Sequence, residues 1–185
     1  MHEVGDFERR VKDYVSALIQ VLGQGDQAAE IVRALTGARR VFTAGNGGSA
    51  ATASHLAQDL TRAGVPSICL SDNVGLLTAE ANDSQFRDAF ANILKLYDPR
   101  PVDVLVLISA SGNSLNILEA ALLAKERGAF VLALVGFGGG QLKTMAQISL
   151  VIPSHDYGKV ESAHSCFCHI LVTMVREWKE KTNLL

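Results

Sequence analysis

One stretch of the sequence carries the main signal for the fold: Arg40-Val41-Phe42-Thr43-Ala44-Gly45-Asn46-Gly47-Gly48-Ser49-Ala50. Its first five residues are typical of a short buried strand, and the glycines that follow interrupt the apolar run. Residues 49–63 then repeat apolar side chains at helical spacing. A strand that passes through a glycine-rich turn into a helix is one unit of an α/β fold.

The same alternation of strands and helices continues after this stretch. The sequence predicts further strands at 67–70, 102–108, 130–135 and 148–152, helices at 74–97 (broken near Asn82-Asp83), 114–127 and 160–181, and a short helix after the glycine-rich turn 136–140. We therefore expect an α/β fold with one doubly wound parallel sheet of five strands, flanked by helices. Crossovers in such a sheet are right-handed, and ligands bind at the carboxyl ends of the strands.

Two helices are predicted before the sheet. Apolar residues recur at three and four positions over 6–22, namely Phe7, Val11, Tyr14, Val15, Leu18, Ile19 and Leu22. A shorter helix with Asp26 at its N-cap ends at Gly37. The apolar stripe of the first helix exceeds what is needed to cover one sheet face, so we expect these helices to serve oligomerisation. We predict a single domain over 1–185, with an N-terminal helical segment (1–36) and an α/β core (37–185).

Composition and charge exclude several classes of protein. With 48% hydrophobic and 19% charged residues, the chain can form a core and is not intrinsically disordered. A net charge of −2 argues against a general nucleic-acid partner. No apolar run reaches the roughly 18 residues of a membrane span. The acidic N-terminus is unlike a secretory signal, and the three cysteines cannot all pair within one chain. We therefore expect a cytoplasmic protein without a nucleic-acid or membrane partner.

Two predicted loops have the composition of phosphate-binding sites. The first is Gly45-Asn46-Gly47-Gly48, and the second, directly after the apolar run 102–108, is Ser109-Ala110-Ser111-Gly112-Asn113-Ser114. Glycines let the backbone approach an anion, and the helix that follows offers free N–H groups. Each loop alone is equally consistent with an ordinary turn, with Ser114 as a helix cap. Two such loops at strand ends of one domain favour phosphate binding.

Dinucleotide binding is the rival interpretation of the first loop. Gly45-x-Gly47-x-x-Ala50 formally matches the Rossmann fingerprint, and Asp72 follows the next strand, where the ribose-binding acid would lie. However, the spacing to Asp72 is longer than the roughly 20 residues expected. The second loop has no role in that fingerprint, and the glycine-lysine-serine/threonine triplet of a P-loop is missing from the sequence. A phosphorylated small molecule is therefore favoured over a dinucleotide.

Taken together, the first loop with His55 and the segment Ile108-Ser109-Ala110-Ser111-Gly112-Asn113-Ser114 resemble the sugar isomerase (SIS) domain. More narrowly, they resemble its phosphoheptose isomerase branch, which converts sedoheptulose 7-phosphate to D-glycero-D-manno-heptose 7-phosphate. The resemblance covers nearly the whole chain, including Ala81-Asn82-Asp83 and Gly138-Gly139-Gly140. It implies an aldose–ketose isomerase that acts through an enediol. It also implies a homotetramer with active sites built between subunits, and zinc as a cofactor.

The resemblance assigns roles to individual residues. It implies substrate contacts for Asn46, Gly47, Gly48, Ser49, Asn82, Asp83, Ser109, Ala110, Ser111, Ser114 and Glu161. It implies a Zn²⁺ site made of His55, Asp59, Glu161 and His169. Asp59 falls on the position of the catalytic base and His169 on that of the proton donor. Glu161 is a substitute base if the shorter Asp59 side chain cannot reach the substrate.

Three positions depart from the family pattern. Asp59 stands where the family has glutamate, Glu161 where it has glutamine, and Ala110 where it usually has threonine. The missing methylene at Asp59 moves the carboxylate by about 1.5 Å, and errors of about 1 Å can cost on the order of 100-fold in rate. A related branch that binds the replication initiator protein lacks the catalytic carboxylate. A non-catalytic module that binds a sugar phosphate or a protein partner is therefore the alternative, but the retained carboxylate and both histidines favour the isomerase.

The spacing of the four predicted ligands is compatible with a metal site. His55 and Asp59 are four residues apart on one predicted helix, so they share a face. Glu161 and His169 are eight residues apart on the last helix, about 80° apart in projection. Two imidazoles and two carboxylates form a reasonable set of ligands for Zn²⁺.

The remaining histidines and cysteines are interpreted more simply. His164 matches no motif and is expected to be an ordinary residue on the helix surface, and nothing in the spacing requires a role for His155 in its polar loop. Cys166 and Cys168 are expected to pack as small hydrophobic residues. A thiolate metal site is rejected because Cys-x-Cys on a helix places the two sulfurs on different faces.

Overall fold

The computed structural model describes residues 2–20 and 24–182. Its elements follow in the order α1 (His2–Ile19), α2 (Gly25–Gly37), β1 (Val41–Gly45), α3 (Gly48–Arg62), β2 (Ser67–Cys69), α4 (Val74–Asp83), α5 (Ala89–Leu96), β3 (Val104–Ser109), α6 (Leu115–Glu126), β4 (Phe130–Val135), α7 (Leu142–Met145), β5 (Ile148–Val151) and α8 (Tyr157–Thr182). The predicted first helix included Leu22, which lies outside the described residues. The predicted break in the 74–97 helix is confirmed by the separation of α4 from α5.

The five strands form one parallel sheet in the order β2-β1-β3-β4-β5. In the sheet, β2 therefore lies on one side of β1, and β3, β4 and β5 follow in order on the other side. The predicted doubly wound parallel sheet is confirmed. The order reverses between β1 and β3, where Gly45 pairs with Ile108. Ligands of open α/β sheets bind at such a switch point, and the two predicted phosphate loops begin there.

Helices cover both faces of the sheet, and each face has its own apolar core. On one face, α2, α3 and α8 pack around buried residues such as Ile31, Leu60 and Leu171. On the other face, α5 and α6 pack around residues such as Phe90 and Ile117. All six residues of β3 are buried, as is expected for a central strand covered on both sides. The helix α3 that follows the glycine-rich turn lies beside α8.

The start of β3 differs from the prediction for a physical reason. Val102, predicted as the first strand residue, is 58% exposed, and β3 begins at Val104. Between them lies Asp103, whose carboxylate is fully buried and accepts hydrogen bonds from Arg39 at 2.9 Å and from Arg40 at 3.1 Å. Burial opposes ionisation of Asp103, but these arginine hydrogen bonds outweigh it and lower its pKa to about 2. This buried ion pair joins the entry of β1 to the entry of β3.

Two helix starts also differ from the predictions. The N-cap position of α2 is Gln24 rather than Asp26, and it makes no side-chain cap bond. The Gln24 amide instead pairs with the backbone of Val151 on the edge strand β5, at 3.1 and 3.2 Å. The last helix begins at Tyr157, three residues earlier than predicted. In both cases, contacts distant in sequence decide where the helix starts.

The apolar stripe of α1 is largely exposed in the isolated chain. Its exposed members are Phe7, Val11, Tyr14, Val15 and Ile19, with between 42% and 68% of their surface accessible. Ala17 is buried and Leu18 packs against the core, so α1 covers the sheet only in part. None of the helices in the described ranges has the length and hydrophobicity that crossing a membrane requires.

Candidate active site

The glycine loop, which we define as residues 45–48, turns the chain from β1 into α3. Gly45 has no room for a side chain because the backbone of Ser49 packs against it. Gly47 has a φ of +54°, in the left-handed region that favours glycine. The turn therefore places the N-terminus of α3, with its partial positive charge, at the carboxyl edge of the sheet.

The serine loop, which we define as residues 109–114, is held by the glycine-rich turn 138–140. The Ser109 hydroxyl accepts a hydrogen bond from the N–H of Gly112 at 3.1 Å. Gly112 has a φ of +65° and packs against the backbone of Gly139, so a side chain does not fit there. The N–H of Leu142 donates to the carbonyl of Gly112 at 3.0 Å. The two glycine-containing segments therefore form one packed unit at the end of β3.

A cavity of about 110 Å³ lies between the glycine loop and the serine loop. It is lined by Asn46, Ser49, Ile108, Ser109, Ala110, Ser111, Ser114, Tyr157 and Glu161. Seven of these nine residues are among the predicted substrate contacts, and the structure brings them together around one space. Hydroxyl and amide donors next to a helix N-terminus are the groups that bind a phosphate monoester.

Asn46 is held in place by Asn116, which was not predicted as a site residue. Its side-chain amide exchanges two hydrogen bonds of 2.9 Å with the amide of Asn116, which is only 3% exposed. Tyr157, at the rim of the cavity, was also missed, and its ring packs edge-on against Phe137 at 5.0 Å. A polar side chain flanked by the apolar Leu115 and Ile117 was the available signal for Asn116.

A second group of polar side chains lies where α3 packs against α8. Asp59 Oδ2 lies 3.4 Å from His55 Nε2 and 3.7 Å from His169 Nδ1. The two imidazole rings are 4.9 Å apart and nearly perpendicular. One ligand atom from each of the three residues lies within 4.8 Å of the others. The convergence of these three predicted residues follows from the i,i+4 spacing on α3 and its packing on α8.

The donor set of this group fits a transition metal such as Zn²⁺. Two imidazole nitrogens and one carboxylate oxygen are common Zn²⁺ ligands, and a three-residue set leaves a coordination position open. The histidine side chains are 50% and 56% exposed, whereas the Asp59 side chain is 17% exposed. An ion could therefore reach the group from solvent while the carboxylate stays partly shielded. Described residues thus form a possible metal site without Glu161.

Glu161 lies at the phosphate cavity rather than at this metal group. Its carboxylate leaves no room for a side chain at Gly48, the first residue of α3, where the helix N-terminus stabilises negative charge. His169 follows eight residues later on α8, which corresponds to about 12 Å at 1.5 Å per residue. Within one chain, the structure does not bring Glu161 to the other three predicted ligands.

Asn82 and Asp83 are also separate from the cavity within one chain. They are exposed residues at the end of α4, and the Asn82 amide donates to the Asp83 carboxylate at 2.9 Å. Neither lines the space between the glycine loop and the serine loop. Their contact with substrate therefore stays a prediction, because these two residues do not reach the cavity of their own chain.

The prediction that His164 is an ordinary helix-surface residue is wrong, because this position belongs to the buried stripe of α8 with Val160, Phe167 and Leu171. Cys168 is buried as well, whereas Cys166 is half-buried. Burial lowers the pKa of His164 to about 4, against the smaller opposing effect of the Val135 backbone. Burial raises the pKa of the Cys168 thiol to about 12, so the thiol stays protonated near the metal group.

Comparison with known proteins decides the family. A family model described as the SIS domain matches residues 6–136. The chain belongs to the SIS domain family. Its relatives include the phosphoheptose isomerase of Mycobacterium tuberculosis, which is 42% identical over 138 residues, or 71% of this chain and 70% of that protein.

Solved structures agree with this membership of the SIS domain family. The phosphoheptose isomerase of Francisella tularensis has a TM-score of 0.85 at 25% identity, covering 96% of this chain and 100% of that one. The phosphoheptose isomerase of Neisseria gonorrhoeae has a TM-score of 0.81 at 27% identity, covering 91% and 99%. The resemblance to the SIS domain and to its phosphoheptose isomerase branch is confirmed.

Proposed function

We propose that this SIS domain protein is a sugar-phosphate isomerase that interconverts sedoheptulose 7-phosphate and D-glycero-D-manno-heptose 7-phosphate. The observation that carries the proposal is the position of the Asp59 carboxylate between the imidazoles of His55 and His169. The same helix α3 begins at a cavity with the donors that a phosphate monoester needs. Relatives named phosphoheptose isomerase, at up to 42% identity, support the choice of substrate.

Phosphate binding is assigned to the serine loop and the start of α3. Ser109, Ser111 and Ser114 line one cavity, and the N-terminus of α3 adds a partial positive charge. Ala110 supplies its backbone N–H but lacks the hydroxyl of the usual threonine. These contacts are the same in the substrate and the transition state, so they orient the sugar and lower KM rather than raise kcat.

The proton transfers are assigned to Asp59 and His169. Asp59 removes a proton from C1 of the ketose while His169 donates a proton to the carbonyl oxygen on C2, which gives a cis-enediol. The proton held by Asp59 then returns to C2, and His169 takes the proton of the hydroxyl on C1, which becomes the aldehyde. Both residues end in their starting protonation states. Glu161, which lines the cavity, is the alternative base.

The metal group has a defined place in this proposal. His55, Asp59 and His169 would hold Zn²⁺, which polarises the carbonyl and stabilises negative charge on its oxygen when bound. A carboxylate has two oxygens, so Asp59 can hold the ion with one and accept a proton with the other. His55 orients the group through its contact with Asp59.

We further propose that the active site is completed between subunits of a homotetramer. In one chain, Glu161 lies at the phosphate cavity, about 12 Å along α8 from His169, and Asn82 and Asp83 face solvent. A neighbouring subunit can bring its own His55, Asp59 and His169 to this cavity. The exposed apolar stripe of α1 provides surface for such an assembly.

The test of the proposed function is turnover of sedoheptulose 7-phosphate, with and without added Zn²⁺, followed by NMR for the appearance of the aldose. We expect turnover that increases with Zn²⁺. If the protein gives no aldose under either condition, the isomerase proposal is wrong. Thermal stabilisation by the sugar phosphate without turnover would instead support the non-catalytic binding module.

A further inference from the structure

One part-buried pair of amides joins the glycine loop to the start of α6, directly after the serine loop. Asn46 Nδ2 donates to Asn116 Oδ1 at 2.9 Å, and Asn116 Nδ2 donates to Asn46 Oδ1 at 2.9 Å. Asn46 belongs to the glycine loop, and Asn116 is the second residue of α6, two positions after the serine loop. Among the described residues, no other side-chain hydrogen bond joins these two segments.

The environment of Asn116 makes this pair costly to break. Asn116 is 3% exposed and lies beside the apolar Ile117 and Leu118, which belong to the core. A buried amide without partners loses its hydration with no compensating hydrogen bond. Each amide of the pair satisfies the other, so displacement of the glycine loop leaves the buried Asn116 amide without its partner. The two loops are therefore held at one separation.

That separation determines the width of the phosphate cavity. Asn46 and Ser49 line one side of the cavity, and Ser109, Ser111 and Ser114 line the other. Asn116 itself does not line the cavity, so it has no direct contact with a bound phosphate. The side-chain contact that connects Asn116 to the lining of the cavity is its pair with Asn46.

We propose that Asn116 is a positioning residue for the proposed isomerase reaction: it holds the glycine loop at the distance from the serine loop at which both contact one phosphate group. The inference rests on the proposed phosphate binding at this cavity. Loss of the pair weakens the binding of substrate and transition state alike, because the phosphate does not react. Such a loss raises KM and leaves kcat almost unchanged.

The test compares Asn116→Ala with Leu118→Ala, which truncates a buried apolar side chain on the same helix, at a residue outside both loops. We expect Asn116→Ala to raise KM for sedoheptulose 7-phosphate by about tenfold, in line with the loss of a buried hydrogen-bonded partner, with kcat within about twofold. Leu118→Ala should lower the melting temperature without changing KM. Asn116→Ser, which keeps one hydrogen-bonding group, should fold more readily and give an intermediate KM.

A double-mutant cycle separates this role from a purely structural one. Once Asn46→Ala is present, the added Asn116→Ala change should raise KM no further, because the contact that connects Asn116 to the lining of the cavity is already lost. Additive effects, or equal KM in Asn116→Ala and the unmodified protein, overturn the inference while the isomerase proposal stands. Titration with inorganic phosphate in a calorimeter gives the same comparison without turnover. If the unmodified protein neither binds phosphate nor turns over the sugar, both proposals are wrong.

Discussion

At the scale of single residues, Asp59 is the side chain on which the proposed chemistry depends. It lies within 3.7 Å of both imidazoles and is the least exposed of the three residues. Asp59→Asn removes the base without changing the size of the side chain. We expect kcat to fall by about 10²- to 10⁴-fold, the usual contribution of general base catalysis. Affinity for the sugar phosphate, measured by calorimetry, should stay the same because the serine loop is untouched.

Asp72→Asn is the matched control for this change. Asp72 is an exposed carboxylate that accepts a hydrogen bond from Ser54 of α3 at 3.0 Å and is not among the three residues of the metal group. Its replacement should leave kcat within about twofold, as is usual for surface substitutions. Equal kcat in Asp59→Asn and in the control would assign the base to another residue, with Glu161 as the next to test.

His164 gives the protein a specific dependence of stability on pH. Burial lowers its pKa from 6.5 to about 4 in the folded state, so the unfolded chain binds a proton in this range before the folded chain does. The fold therefore has its full stability with respect to this residue above pH 6.5. It loses stability as the pH falls toward 4, because protonation then favours the unfolded chain. Between pH 7 and pH 4, His164→Leu should lose about 3 kcal/mol less of its unfolding free energy than the unmodified protein.

Urea unfolding of both proteins across that pH range measures the difference. Because the imidazole is mostly neutral in both states at pH 7, the comparison uses the change in unfolding free energy between pH 7 and pH 4 rather than its value at one pH. Replacement of the exposed His155 by Leu serves as the control and should leave the pH profile of stability unchanged. Parallel profiles for the unmodified protein and His164→Leu would contradict this account of the buried imidazole.

Some site residues could be predicted from sequence, and others could not, for reasons of geometry. His55 and Asp59 are four residues apart, so the prediction of a helix is enough to place them on one face. The position of His169 beside these two residues depends on how α8 packs on α3. The family resemblance supplied that information. Asn46 and Asn116 are separated by 70 positions, and their pairing depends on the register of β1 against β3. Periodicity contains no signal for such a contact.

At the scale of elements, the buried ion pair of Asp103 holds the entries of two strands together. It joins Arg39 and Arg40, before β1, to the residue that precedes β3. The pKa of Asp103 is lowered to about 2, so the ion pair stabilises the fold above pH 4 and this stabilisation is lost as the pH falls toward 2. At pH 7, Asp103→Asn should reduce the unfolding free energy by about 2 kcal/mol.

Denaturant unfolding at pH 7 and at acidic pH checks this prediction. The difference between Asp103→Asn and the unmodified protein should shrink as the pH falls below 4, because the carboxylate itself becomes neutral. Asp98→Asn is the control, since the Asp98 side chain is 60% exposed in its pair with Arg100. Exposed pairs contribute at most about 1 kcal/mol. A pH-independent loss in Asp103→Asn would contradict the ion-pair account.

The elements were predicted well where local pattern determines them and less well at their ends. The buried strands and the break between α4 and α5 follow from apolar runs and polar interruptions. The start of β3 does not follow from such a pattern. Val102 is apolar yet exposed, while the charged Asp103 is buried beside its arginine partners. The contact between Gly112 and Gly139 likewise joins two turns that only the folded sheet brings together.

At the scale of the whole molecule, the account requires an assembly larger than one chain. Light scattering at micromolar concentration should give about four times the 19.8 kDa of the chain. A monomer would contradict the proposal that the site is completed between subunits. Charged substitutions in the exposed stripe, such as Val11→Glu with Val15→Glu, should dissociate the assembly and abolish turnover together.

Mixing of two inactive variants tests whether neighbouring subunits share one site. Asp59→Asn removes the base, and Ser111→Glu places a negative charge in the phosphate cavity. If the base and the serine loop come from different subunits, random mixing by refolding together restores roughly a quarter of the sites. If both come from one chain, every site in the mixture carries a defect and the mixture stays inactive. That second result would contradict the shared site.

Solvent deuterium exchange is the measurement that tests the central claim most directly. In deuterated buffer with added Zn²⁺, an enediol mechanism incorporates deuterium at the carbon beside the carbonyl of sedoheptulose 7-phosphate, and NMR detects it even when little aldose accumulates. The account predicts exchange with the unmodified protein and at least a 100-fold slower exchange with Asp59→Asn. Absence of exchange with the unmodified protein, or equal exchange with Asp59→Asn, would contradict the claim that the carboxylate between His55 and His169 performs the proton transfer.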